Sequence, residues 1–139
     1  MEPNARKLIQ SFANLKRALD RLEEALHEDQ GNSLIVDGTI QRFEFTFEIY
    51  WKTLKRLLAW EGIETKTPRE TLKEAYQAGW LTNEQAWLQM LKDRNTTSYA
   101  YDEEIARQIL QHINQYFPEF KSTFQQLKQD YVNELDANE

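Results

Sequence analysis

Gln41-Arg42-Phe43-Glu44-Phe45-Thr46-Phe47-Glu48-Ile49-Tyr50-Trp51-Lys52 is the stretch on which the fold turns. Phe43, Phe47, Tyr50, Leu54 and Leu57 recur at spacings of four and three, which puts them on one face of a helix. Phe45, Ile49, Trp51, Leu58 and Trp60 widen the apolar surface beyond a single stripe. A helix this apolar sits centrally in a bundle or packs a second face on another chain. The pattern predicts a helix from about Thr39 to Glu61, with Asp37 as N-cap and Gly62 as the stop signal. The preceding Asp29–Gly38 reads as a loop.

Outward from this helix the chain stays helical. Leu8, Phe12, Leu15, Leu19, Leu22 and Leu26 alternate the same two spacings, giving an amphipathic helix over about Arg6 to Glu28. Thr67-Pro68-Arg69-Glu70 is a capping box with proline at the first helical position, opening a short helix that ends near Gly79. Thr82-Asn83-Glu84-Gln85 is read as a second box, leading into Trp87, Leu88 and Leu91. Asp102-Glu103-Glu104 suits the start of a last helix carrying Ile105, Ile109, Ile113, Tyr116, Phe120, Phe124, Leu127 and Tyr131. Pro118 lies inside that pattern and predicts a kink or break, and the acidic tail after Tyr131 is expected to fray. The expectation is an all-α, up-down bundle of about five helices, one unit over residues 1–139.

Composition narrows the function classes. The 139 residues include no cysteine, which removes disulfides, thiolate chemistry and Cys-based zinc sites. No run approaches membrane-spanning length, so a cytoplasmic protein away from the membrane is expected. A formal net charge of −6 disfavours broad electrostatic binding to nucleic acid. Glu24-Ala25-Leu26-His27 matches one Glu-x-x-His motif, but a carboxylate-bridged metal site needs two, so surface residues and no metal are expected. His112 stands alone and reads as a helix-face or core histidine. The four glycines are dispersed and form no phosphate loop. There is no Asp-x-Asp pair for two-metal nucleotidyl transfer, and no cofactor is implied.

The fourth helix carries the one departure from its local rule. Counting from Trp87 through Leu91, and from Leu88 through Leu91, the period places Arg94 and Asn95 on the buried face. A guanidinium there has to meet a carboxylate, a helix terminus or a ligand anion. Thr96, Thr97, Ser98, Tyr99, Ala100 and Tyr101 follow. One reading is a pocket in which Arg94 binds phosphate oxygens and a tyrosine stacks on a base. The other is an interhelix clamp, in which Arg94 caps carbonyls or pairs with a glutamate and the tyrosines pack. Glu44 and Glu48, one turn apart on the second helix, are candidate partners for Arg94 or for Lys52, or else form a solvated stripe.

Gln41–Glu48 with Trp51-Lys52, and Lys92-Asp93-Arg94-Asn95-Thr96-Thr97-Ser98-Tyr99-Ala100-Tyr101-Asp102-Glu103-Glu104, resemble the signature of the nucleotidyltransferase substrate-binding protein family. That family is similar to HEPN domains, helical bundles that dimerise. The resemblance implies a homodimer and a complex with a minimal nucleotidyltransferase. It also implies kinship with toxin–antitoxin pairs in which the HEPN chain is a metal-independent RNase with an Arg-x4-His-x-Tyr motif. In those pairs the partner transfers AMP to the motif tyrosine. By position the motif arginine is Arg94, its polar neighbour Asn95 and the terminal tyrosine Tyr101, the residue then open to modification. Tyr99 occupies the histidine position. A phenol with a pKa of about 10 is a poor base near neutrality, which discounts RNase activity but leaves nucleotide binding intact. The resemblance therefore implies a nucleotide-binding companion subunit using Arg94, Asn95, Tyr99, Tyr101, Glu44 and Glu48. The alternative is an RNase with Arg94, Asn95 and Tyr99 as its catalytic set.

Overall fold

The computed structural model describes the backbone of residues 3–136 and the side chains of residues 4–131. Among these residues five α-helices form a bundle: α1 Pro3–Leu26, α2 Ser33–Trp60, α3 Pro68–Gln77, α4 Glu84–Thr96 and α5 Glu103–Asp136. A single 3₁₀ turn, Thr97–Tyr99, follows α4 directly. No strand occurs among the described residues, and no helix there is long and apolar enough to cross a membrane.

The central place of α2 accounts for most of its apolar surface, though Phe45 stays 55% exposed. The helix touches α1, α3, α4 and α5. Phe43, Phe47, Tyr50, Leu54, Leu57 and Leu58 on it are fully buried. An aromatic cluster joins α2, α4 and α5. Tyr50 meets Trp87 edge-on with ring centroids 4.9 Å apart and stacks on Phe120 at 5.1 Å. Phe43 stacks on both Tyr116 and Phe120. The polar tips inside this cluster are satisfied: Tyr50 donates to the Phe120 carbonyl at 2.7 Å and Trp87 Nε1 to Glu119 at 3.2 Å. Such partners are what permit Tyr and Trp to be buried.

Three local expectations are corrected. α2 starts at Ser33, so most of the expected loop is its first turns. Asn32, and not Asp37, is the N-cap, its side chain accepting from the Leu34 amide at 2.9 Å. Burial of Val36 and Ile40, one turn apart, outweighs the helix-weakening Gly38 between them. At α4 the cap is Asn83 and not Thr82, again by a side-chain acceptor. In α5 the helix continues through Pro118 to Asp136, so there is no break at the proline, and the end of the acidic tail, residues 137–139, lies outside the described residues. Pro118 is exposed while Tyr116 and Phe120 on either side are buried, so tertiary packing holds the turn that the proline weakens.

The forward half of the capping box at Thr67 is present, with the Glu70 amide donating to Thr67 Oγ1, while the Glu70 carboxylate accepts from the Lys66 amide, one residue before the cap. Gly62 and Gly79 both take positive φ, 88° and 84°, and end α2 and α3. The amides after them, Ile63 and Trp80, reach back to Leu58 and Ala75 in Schellman fashion.

Candidate functional site

The end of α4 and the turn after it form a compact polar rim. Arg94 lies in the last turn of α4, one-third exposed. Its Nη2 donates to Glu48 on α2 and its Nη1 to Asn95 Oδ1 at 3.2 Å. Glu48 also accepts from Trp51 Nε1 at 3.1 Å and pairs with Lys52 at 3.3 Å. Burial pushes the Glu48 carboxyl up, but the hydrogen bonds from Trp51 and Lys52, and the charge and hydrogen bond of Arg94, outweigh it and hold it below the ordinary value. Two cations thus flank one carboxylate.

Beyond Arg94 the backbone tightens. Thr96 and Thr97 turn their hydroxyls back onto the carbonyls of Asp93 and Arg94, at 2.9 and 2.8 Å. That consumes their side chains in local bonds and closes the helix end. Tyr99, at the end of the 3₁₀ turn, and Tyr101, in the turn after it, are 54% and 87% exposed.

On α4 the rotation differs from the one expected. Its buried row is Trp87, Met90 and Asp93, not the row ending at Arg94 and Asn95. Asn95 is exposed. Apolar residues on α4 occupy two adjacent rows, with Leu88 and Leu91 only half-buried, so periodicity cannot tell which one faces the core.

Asp93, 6% exposed, is the inward polar group. It accepts from Gln89 at 3.2 Å, from His112 Nδ1 at 2.8 Å and from the Tyr116 hydroxyl. Burial, then the hydrogen bond to Asp93 and its charge, push the Tyr116 phenol far above its ordinary value. His112, which looked solitary, is therefore half of an Asp–His pair bridging α4 and α5. A cleft of about 320 Å³ opens beside it, with Tyr99 on its wall.

The sequence matches the family described as nucleotidyltransferase substrate binding protein like over residues 10–129. This chain belongs to that family. Among the relatives of this chain, a Haemophilus influenzae protein named probable ribonuclease HepT is 28% identical over 135 residues, covering 91% of this chain and 92% of the relative. A crystal structure from Thermus thermophilus matches 82% of this chain and 98% of its own, at 31% identity and a TM-score of 0.78. A second solved structure, from Haemophilus influenzae, is described as revealing the fold of a substrate binding domain of a nucleotidyltransferase. It covers 89% of this chain and 98% of its own, at 25% identity and a TM-score of 0.66.

Of the residues singled out in this family member, Arg94, Asn95 and Glu48 are brought into direct contact. Tyr99 and Tyr101 stand on the turn that follows. Glu44 is half-buried one helical turn before Glu48 and takes no part in the Arg94 ion pair. Glu24 and His27 are both at the surface. Glu24 lies 3.5 Å from Arg42, and His27 Nδ1 is bonded to the Glu23 carbonyl. The Asp93–His112–Tyr116 network was missed. Its one signal is that Trp87, Met90 and Asp93 are spaced three apart, a helical row ending in a carboxylate.

Proposed function

We propose that this chain is the substrate-binding companion subunit of a minimal nucleotidyltransferase. It works in the cytoplasm as a homodimer, in a module of the toxin–antitoxin kind. Residues 1–139 act as one HEPN-like unit that presents the α4–α5 rim to the partner. Arg94 and Asn95 hold phosphate oxygens of a nucleotide, Tyr99 stacks on its base, and Tyr101 is placed to accept a nucleotidyl group.

One observation carries this reading: a one-third-exposed guanidinium, already oriented by Glu48, lies at the end of the helix that leads into a turn bearing two exposed tyrosines. A guanidinium has five N–H donors, and the contacts to Glu48 and Asn95 leave others for an anion. Glu48 thus fixes the fork in place, which reduces the ordering that binding must supply. Lys52, on the other side of Glu48, adds a second cation beside the same carboxylate. Glu44, one turn earlier, adds a carboxylate at the edge of the same face.

Co-expression with a minimal nucleotidyltransferase, followed by size-exclusion chromatography, tests the reading. A stable complex that Arg94→Ala leaves assembled but unable to bind nucleotide is expected. A chain that never associates with such a partner defeats it. The name of the Haemophilus relative favours a second reading, an RNase using Arg94, Asn95 and Tyr99. Expression toxicity relieved by Arg94→Ala supports that reading, and RNA left intact by the pure protein counts against it.

A further inference from the structure

We propose that the cleft between α4 and α5 is a nucleobase subsite, read by His112 and Gln108 and walled by Tyr99. The inference rests on the nucleotide-binding reading and assigns the base a place of its own.

The occupant follows from the lining. Asp93 takes the hydrogen on His112 Nδ1, at 2.8 Å, and so fixes which ring nitrogen is left over. That nitrogen, Nε2, has no partner among the described residues, on a ring 39% exposed at the cleft. The Gln108 amide lines the same cleft, is exposed and makes no hydrogen bond there. Ile105 and Ile109 supply apolar surface, and Tyr99 supplies an aromatic face. Apolar and aromatic walls with a few acceptor and donor groups at the edge suit a planar heteroaromatic ring.

A phosphate suits the cleft poorly. Its one fixed cation is the exposed Lys92, and it contains the Asp93 carboxylate. An anion there would lie beside a buried negative charge. The volume of about 320 Å³ is at the small end for ligand pockets, enough for one base with its sugar and too small for a longer segment. Asp93 and Arg94 are adjacent on α4 but turned to different neighbours, α5 and α2. A nucleotide lying across the end of α4 would thus place its base toward His112 and its phosphate toward Arg94. Asp93 is the positioning residue of the pair, holding the ring and its tautomer.

Binding of adenosine and of AMP to the full chain, followed by calorimetry and by the imidazole resonances, tests this. His27→Gln leaves His112 as the only histidine, because the sequence has two. Adenosine alone should bind and move the His112 resonance. His112→Ala and Gln108→Ala should each weaken both probes about tenfold, the value of one well-made polar contact. Arg94→Ala should weaken AMP and spare adenosine. Asp93→Asn should change the ring-nitrogen pattern as well as adenosine affinity, which loss of packing alone would not do. Gln108 is exposed, so its variant tests the cleft without threatening the fold. If AMP binds through Arg94 but is indifferent to His112→Ala and Gln108→Ala, the base subsite is wrong and the nucleotide reading stands. If AMP does not bind at all, both are overturned.

Discussion

Arg94 shows how one side chain can be both clamp and ligand donor. Its pairing with Glu48 ties α4 to α2, while its remaining donors stay at the surface. Because the folded-state Glu48 carboxyl sits below its ordinary value of 4.5, the pair contributes stability above about that pH and loses it as pH falls through the lower folded value. Arg94→Ala should therefore lower stability by about 1 kcal/mol at neutral pH and flatten the acid limb of a pH–stability profile. A profile unchanged in slope would show that the pair does not link the two helices energetically. Tyr50 and Tyr116 work in the opposite sense. Burial pushes both phenols up, helped at Tyr50 by the charge of Glu119 and at Tyr116 by the hydrogen bond and charge of Asp93. Their contribution is present below the ordinary value of 10.0 and is lost as pH rises toward the folded values. Phenolate absorbance from these two should appear only together with alkaline unfolding. Tyr116→Phe should remove one phenol from that late phase and cost about 1–3 kcal/mol, since it leaves a buried carboxylate short of a donor.

Among the elements, α5 is where local propensity and packing conflict most directly. Pro118 removes a backbone donor from the middle of the helix, a change that costs about 3 kcal/mol in an isolated helix interior. The helix survives because Ile113, Tyr116, Phe120, Phe124 and Leu127 are all buried against α1, α2 and α4. Pro118 itself is exposed, so Pro118→Ala should raise stability, by about 1–3 kcal/mol in chemical denaturation, with no loss of packing. A destabilised variant would mean that the proline shapes the bundle. α2 makes the complementary point: its first turn rests on Asn32 as cap and on Val36 and Ile40 as anchors, in a segment whose glycine and acids suggest a loop.

At the scale of the whole molecule, the aromatic cluster of Phe43, Tyr50, Trp87, Tyr116 and Phe120 ties together the three helices that carry the site. Phe120 stands at its centre and is fully buried. Phe120→Ala should cost about 3–5 kcal/mol and loosen the α4–α5 cleft with it, which a lowered denaturation midpoint combined with weaker AMP binding would reveal. Stability and site geometry are thus coupled through the same rings. A variant that loses stability but binds AMP unchanged would show that the rim is set by the local turn alone.

Repeating apolar spacings were enough to specify an all-helical bundle, because side-chain period is a property of the chain itself, but they left open whether the second helix sits centrally or packs on another chain. The caps at Thr67, Gly62 and Gly79 were legible for the same reason: each depends on residues a few positions apart. Glu48 could be named as a possible partner for Arg94, but not chosen over Glu44, since that choice depends on how α4 is rotated against α2. The same rotation turned Asp93 inward and Asn95 outward, and brought His112 from 19 residues away into contact with it. Contacts of that kind arise from the burial of two whole helix faces against each other, which no single segment encodes, and they became visible only in the assembled bundle.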